Sequence, residues 1–590
     1  MKDFLKTVLA VVVGLIAVSV ISGIFTLAVI GSIALAGKST PVLPKSGVLK
    51  IDLSSDCLAE QSQSLDPISS LKGEQSRTIG IYDACRAVRL AADDPAVKFI
   101  YVRADANASS ISYLEELRAA LADFREKGSK AVITYMESPN IPGMYIGSVS
   151  DRIYLTSCDG SNPMFFGLTA RLTYFGDALK ALGVNVQLIR HGKYKSAGEP
   201  FVRSTPSEEN LTQYRELLGS LWSTVGGAIA EGRGIGIDRL DRMIDNLELG
   251  ECADFVKAGL ADSLMSRTGL EQKVAELAME SSYGDVDWIL LDEYVKVKCA
   301  QRKSAHEKIA VIYADGDIVD GRSDEPGKVC GDPFAKTVAQ VRADSSVKAV
   351  VFRVNSPGGS VLASEKILDE IRQLKAVKPV VASYGGYAAS GGYWISNCCD
   401  RIFSDATCLT GSIGVFSMIP DVSRTLKEKA HIGVYAVNTH DHSNIFSLTH
   451  PLSESEMAYM QRSVEGIYSR FVDIVAGSRS LDPEYVDEIG QGRVWSGVAG
   501  VEKGLVDEVG DLSDAVAYAA SLIGKDDPED CGIVSYPGVP DTMKQLMMMF
   551  NGLSNPSDRD ISAYVDWFKS YRDGKSEVTF ARLPFRVEIR

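Results

Sequence analysis

The chain repeats itself, and that duplication constrains its fold more than any other feature. Residues 96–103 (AVKFIYVR) return about 250 positions later as residues 346–353 (SVKAVVFR), each an apolar run with the look of a buried strand. An amphipathic helix follows each run. Leu117, Leu121 and Phe124 share one face in the first copy, and Ile367, Leu368, Ile371 and Leu374 share one in the second. The order is then kept: AVITY at 131–135 against VVASY at 380–384, DRIY at 151–154 against DRIF at 400–403, and AGLAD at 258–262 against KGLVD at 503–507. Strands that alternate with helices build parallel-sheet α/β units, because a parallel pair needs a long crossover connection. Two tandem homologous α/β domains are therefore expected at residues 46–275 and 307–523. A connector at 276–306, with an apolar run at 288–291, would join them. An extension at 524–590 would follow, in which 543–550 has a helical pattern and 577–590 an extended one.

Ahead of the first repeat, residues 7–37 carry no charge and are rich in Val, Ile, Leu and Ala. The run exceeds the roughly 20 residues that cross a bilayer as a helix, so residues 1–45 are expected to form a single-pass membrane anchor and a linker marked by Pro41 and Pro44. Lys2 and Lys6 against Asp3 favour a cytoplasmic N-terminus with both repeats exported. The rival is a cleaved secretory signal ending at Ala34-Leu35-Ala36, but the apolar run is about twice the usual length of such a region. With 62 Lys and Arg against 77 Asp and Glu, the net charge is −15. That balance excludes a surface built to neutralise phosphates, and no nucleic-acid partner is expected. Ten cysteines are too dilute for a disulfide scaffold, and no C-x-x-C spacing suggests zinc.

The chemistry lies in what each copy lacks. In the second half, Asn355-Ser-Pro-Gly-Gly-Ser360 follows a strand, and consecutive glycines let backbone N–H groups face a bound oxyanion. The first half has Asp105-Ala-Asn-Ala-Ser-Ser110 there, without glycine. Further on, Tyr387-Ala-Ala-Ser-Gly-Gly-Tyr-Trp394 puts Ser390 at a helix start with small neighbours, and the amide of Gly391 comes immediately after the hydroxyl. Its first-half counterpart, near Ile141 in Ser138-Pro-Asn-Ile-Pro-Gly-Met-Tyr145, offers no such serine. A helix N-cap is the bland alternative for Ser390. None of the six histidines stands in a triad context, and His440-Asp-His442 is better explained as an exposed turn than as a metal site. A lysine base remains. Lys195 lies in Arg190-His-Gly-Lys-Tyr-Lys-Ser-Ala-Gly-Glu-Pro-Phe201, where Tyr194 and Ala197 could shield an ammonium group, and the second copy has no lysine between Lys429 and Lys503. Lys193 is expected to be a solvated loop charge, Ser356 to serve its turn, and Ser412 to line the cleft.

The motifs Tyr194-Lys-Ser-Ala197 with Glu199-Pro-Phe201, Asn355-Ser-Pro-Gly-Gly359, Ala388-Ala-Ser-Gly-Gly392 and Thr410-Gly-Ser-Ile-Gly414 together resemble the long, duplicated form of the signal peptide peptidase A family, also called protease IV. The resemblance runs from residue 1 to about 530. One departure is Gly198, where other residues are common. The SPGG motif alone is shared with the wider Clp-protease and crotonase-like superfamily. The resemblance implies two Clp-protease/crotonase-like domains, with Lys195 as base from the first and Ser390 as nucleophile from the second. It further implies a bacterial inner-membrane anchor with catalytic domains on the periplasmic side, a homotetramer, and hydrolysis of cleaved signal peptides. Gly359 and Gly391 are the expected oxyanion hole, with no cofactor or metal required. Two other readings stand beside this one: a crotonase-type acyl-CoA enzyme, and a catalytically silent membrane scaffold.

Overall fold

A computed structural model describes residues 41–62, 77–105, 110–299, 306–321, 325, 327–538 and 579–582. The expected anchor at 7–37 and the helical pattern at 543–550 lie outside the described residues. Among the described residues no helix is long and apolar enough to cross a membrane.

Each repeat builds a sheet around six parallel strands that share one order; in the second, Leu409–Gly411 also joins Val380–Ala389 and pairs antiparallel with Val494–Ser496. In the first, the order is Ser263–Met265, Arg152–Thr156, Val132–Met136, Val97–Arg103, Gly47–Asp52 and Trp288–Leu290, every pair parallel. In the second, Glu508–Val509, Arg401–Ser404, Val380–Ala389, Val347–Ser356, Lys308–Asp315 and Gly532–Tyr536 follow in the same sequence. The outermost strand of each sheet comes from beyond the repeat itself. Trp288–Leu290 lies in the segment expected as a connector and Gly532–Tyr536 in the extension, and each covers the open edge of its repeat's first strand. Trp288–Leu290 has only three residues, too few for any periodicity to announce it.

The helical faces anticipated from the periodicity pack on these sheets. Leu117, Leu121, Phe124, Ile367, Ile371 and Leu374 are all fully buried, and each contributes about 1.5–3 kcal/mol relative to exposure. Helices Ile111–Gly128 and Val361–Lys375 thus occupy equivalent positions over the two sheets.

Two devices lock the repeats together. One is ionic: the fully buried Arg353 donates to Glu60 at 2.8 Å and to Glu116 at 2.5 Å, both in the first repeat. Losing the guanidinium would strand two buried carboxylates, a change that typically costs about 3–5 kcal/mol. The other is a mixed third sheet. Its order is Lys328–Cys330, Asp317–Val319, Gly358–Ser360, Thr579–Arg582, Val415–Asp421 and Asn185–His191. Asn185–His191 of the first repeat runs antiparallel to Val415–Asp421 of the second, with Asn185 opposite Asp421 and His191 opposite Val415. That pairing carries the chain just after His191 into the second repeat.

Candidate active site

Strand Val380–Ala389 ends at a sharp turn into helix Gly391–Ser396, and Ser390 is the turn. Its backbone sits at φ 55° and ψ −113°, a conformation that costs a non-glycine residue about 1–3 kcal/mol. The surroundings hold it there. Ser390 N donates to Gly411 O at 2.8 Å, and Ser390 O accepts from Trp394 N at 2.8 Å. Gly392 permits the helix to press on the neighbouring strand end, since a Cβ there would stand 2.5 Å from Ser356 O. The Ser390 side chain makes no capping bond to its own helix and is fully buried.

Lys195 reaches this turn from the first repeat. Its Nζ lies 2.8 Å from Ser390 Oγ, 3.0 Å from Ser412 Oγ and 3.2 Å from Ser412 O. The side chain has no exposure to solvent, and burial alone pushes its pKa well below the ordinary lysine range. Two glycines make the channel for its stem. A Cβ on Gly492 would lie 2.6 Å from Lys195 Cβ, and one on Gly414 would lie 3.1 Å from Lys195 Cδ. The loop is fixed from behind by Arg190, which donates to Lys195 O at 2.9 Å and to the buried Glu199 at 3.2 Å. Glu199 also accepts from Ser207 Oγ at 2.7 Å. Lys193 is exposed beside the Tyr194 ring.

The glycine pair lies on the third sheet. Gly359 faces Ile318, and a Cβ on it would fall 1.8 Å from Ile318 O, so no other residue fits. The Gly358 amide donates to Ser356 Oγ at 3.2 Å, which makes Ser356 part of the turn. Gly391 is the first residue of its helix, where an amide has no intrahelical acceptor. The fold brings Ser390 and Lys195 together from positions 195 residues apart.

Some supporting residues escaped the sequence reading. Ser412, expected only to line the cleft, touches the lysine directly. The segment from Gln491 to Arg493 is clasped between the two repeats: Gln491 O accepts from Tyr194 N at 2.9 Å and Arg493 O from Ser412 N at 2.7 Å. Arg493 stacks over Tyr194 and Trp495. The available signal was the glycine pair in Gly490-Gln-Gly-Arg493, of which Gly492 takes φ 78°. At the departure, Gly198 packs against the Leu188 side chain, whose Cδ1 a Cβ there would meet at 2.3 Å. His440 and His442 are exposed on a turn, and His191 stacks on Tyr468. All ten cysteines are free thiols.

The model of peptidase family S49 matches the chain twice, at residues 124–280 and 372–525, corresponding parts of the two repeats that contain Lys195 and Ser390 respectively. Protease 4 of Haemophilus influenzae is 34% identical over 524 residues, covering 85% of this chain and 83% of the relative. Protease 4 of Salmonella typhi is 36% identical over 460 residues, covering 75% and 72%. The chloroplastic serine protease SPPA of Arabidopsis thaliana is 29% identical over 445 residues, covering 73% and 64%. These matches run through both repeats, and on that ground the chain belongs to peptidase family S49 and is a serine peptidase.

Proposed function

We propose that Ser390 and Lys195 form the nucleophile and general base of a membrane-anchored endopeptidase that degrades cleaved signal peptides and other extended apolar peptides. The observation that carries this reading is the 2.8 Å approach of a fully buried lysine to a serine hydroxyl. An amine deprived of solvent and of a counter-ion is neutral at a pH where a free lysine, with a pKa of about 10.4, is charged. Its lone pair can then take the hydroxyl proton.

Ser390 Oγ attacks the peptide carbonyl as its proton passes to Lys195 Nζ, and the new oxyanion is held by the amides of Gly359 and Gly391. Collapse breaks the C–N bond, and the leaving amine takes the proton from Lys195. Water then gives a proton to Lys195 and adds to the acyl carbon; the acyl–Oγ bond breaks and Ser390 recovers its proton. Ser412 accepts from Lys195 Nζ and orients the lone pair. No step calls for a metal or nucleotide. An anchor at residues 7–37 would raise the local concentration of the enzyme near peptides left in the bilayer of a bacterial inner membrane. A fluorophosphonate should label the full chain in detergent, and Ser390→Ala should remove the label. Labelling of the variant at the parent rate would move the nucleophile elsewhere. Absence of any label from the parent would favour the acyl-CoA enzyme or the silent scaffold.

Assembly into a homotetramer belongs to the same reading and is supported by two segments that lie outside every sheet. Residues 168–174 precede helix Gly176–Leu182 as Val415–Asp421 precedes residues 425–429, and residues 435–441 follow the latter turn as Asn185–His191 follows the former. Within the chain one such pair has already joined. The other two segments belong to no sheet, and Tyr435 and Val437 stand 95% and 101% exposed. Segments that follow a strand's course without a partner invite pairing, and a head-to-tail contact of this kind closes into a ring where its rotation permits. Copying the internal register, in which Pro420 faces Val186, sets Thr173 opposite Ala436 of the next copy. Thr173→Cys with Ala436→Cys should therefore crosslink chains on oxidation, while either substitution alone should not. A chain that sediments as a monomer, or an oligomer that the pair fails to crosslink, would refute this arrangement.

A further inference from the structure

The third sheet contains a place for one more strand, and the chain's own C-terminal region fills it. Gly358–Ser360 has Asp317–Val319 on one side, and Val415–Asp421 has Asn185–His191 on one side. Their remaining edges face each other. Thr579–Arg582 lies between them and antiparallel to both, with Arg582 opposite Gly358, Ala581 opposite Gly359, Phe580 opposite Ser360 and Phe416, and Thr579 opposite Ser417. The helix that starts at Gly391, directly after Ser390, adjoins this strand. Neighbouring strands lie about 4.8 Å apart, so two edges that flank a single strand admit one extended chain and exclude a second.

A peptide that brings its carbonyl to Ser390 while Gly359 holds the oxyanion must run as a strand along Gly358–Ser360. Main-chain pairing on both sides would hold it without regard to most of its side chains, which is the mode of strand addition to an exposed sheet edge. That course is the one Thr579–Arg582 takes. We propose that the C-terminal strand Thr579–Arg582 is a resident occupant of the peptide-binding slot, which incoming peptide must displace. The proposal rests on the assignment of Ser390 and Gly359 above.

Two full-length variants test it. Phe580→Pro with Ala581→Pro removes two successive amide donors and adds two rings that an inner strand cannot accommodate. This variant should be labelled faster by a fluorophosphonate and should show a KM for an apolar peptide lowered about tenfold at unchanged kcat, the factor expected when an occupant leaves the slot free one-tenth of the time. A synthetic peptide of sequence 575–586, KSEVTFARLPFR, should inhibit it competitively. The second variant, Ser417→Cys with Thr579→Cys, should form a disulfide that suppresses labelling, and reduction should restore it. This gain of inhibition guards against misfolding. Equal labelling rates and equal KM for parent and proline variant, no disulfide on mild oxidation, or a disulfide without effect on labelling would each overturn the proposal. The underlying assignment fails by a different sign, namely label retained after Ser390→Ala in either background.

Discussion

The same turn occurs once in each repeat, and the two versions differ in what the capping side chain does. In the first, helix Ile141–Gly147 begins after Asn140, whose backbone is extended at φ −140° and ψ 172° and whose Oδ1 accepts from Gly143 N at 2.8 Å. In the second, Ser390 holds φ 55° and leaves its own helix uncapped. An ordinary cap stabilises a helix by about 1 kcal/mol, whereas the strained backbone costs about 1–3 kcal/mol. The second turn is thus the less stable by a few kcal/mol on an otherwise shared scaffold. What it gains is a hydroxyl that no local amide engages, 2.8 Å from Lys195. Strain that recurs in only one of two equivalent turns points to chemistry in that copy.

The sharpest test exchanges the two roles. Ser390→Ala should lower peptide hydrolysis by at least about 10³-fold, in line with removal of a nucleophile elsewhere. Asn140→Ser should keep an ordinary cap and acquire no reactivity, because the backbone there is unstrained and Lys195, although of the same repeat, lies against Ser390 instead. Fluorophosphonate labelling followed by peptide mapping reads both, and label on the first repeat's turn would break the comparison.

Next in size is Lys195→Arg, which keeps a cation and loses the base. A loss of about 10²–10⁴ in kcat is expected, since guanidinium does not deprotonate near neutral pH. In the parent, activity should be flat above the lowered lysine pKa and fall as pH drops through it, because the protonated amine cannot accept the serine proton. Stability carries the same signature. Between the folded pKa and about 10.4 the unfolded chain binds a proton at this lysine that the folded chain does not, so stability rises with pH across that window. Lys195→Met removes this contribution. It should be inactive and yet melt higher than the parent at neutral pH, as measured by thermal unfolding.

Much of this was legible in the residues. The strand runs, the helical faces and the reciprocal loss of Lys195 and Ser390 all come from patterns longer than five residues or from differences between aligned copies, which is where periodicity and comparison have power. The edge strand Trp288–Leu290 and the pairing of Asn185–His191 with Val415–Asp421 were not legible, because a three-residue strand has no period and a pairing across the repeats leaves no local mark. Ser412 was legible as a cleft residue, but its bond to Lys195 and the whole of Gln491–Arg493 were not, for a related reason: these contacts with the lysine and its loop exist only once the repeats have docked.

Gly492 extends the comparison to that docked segment. Its counterpart five residues before the next helix is Leu247, which adopts φ 57° and is 72% exposed. Leucine therefore tolerates the turn, and the glycine of the second copy answers to space. An added Cβ would lie 2.6 Å from Lys195 Cβ and 2.7 Å from its Cα. Gly492→Ala should displace the lysine and reduce kcat about 10²-fold with the fold intact, the scale of loss expected from an approximately 1 Å misplacement of a reacting group. Leu247→Ala should leave activity unchanged. Circular dichroism with peptide kinetics measures the pair.

The smallest effect is expected at Ser412, two residues before Gly414. The corresponding residue in the first repeat, two before Gly167, is Phe165, buried against Phe255 at 5.7 Å between ring centroids. The silent copy fills with an aromatic ring the place where the other keeps a hydroxyl. Ser412 Oγ donates to Gly492 O at 3.5 Å, which leaves its oxygen to accept from Lys195 Nζ at 3.0 Å. An acceptor stabilises the ammonium form more than the amine, so Ser412→Ala should lower the lysine pKa further and shift the acid limb of kcat to lower pH. The Ser412 carbonyl, 3.2 Å from Nζ, still constrains the amine. One net hydrogen bond is worth about 1 kcal/mol, so the loss in kcat should be about five- to tenfold. A merely structural serine would lower activity without moving the pH profile. An acid limb that stays in place or moves upward in Ser412→Ala would therefore remove Ser412 from the orientation of the base.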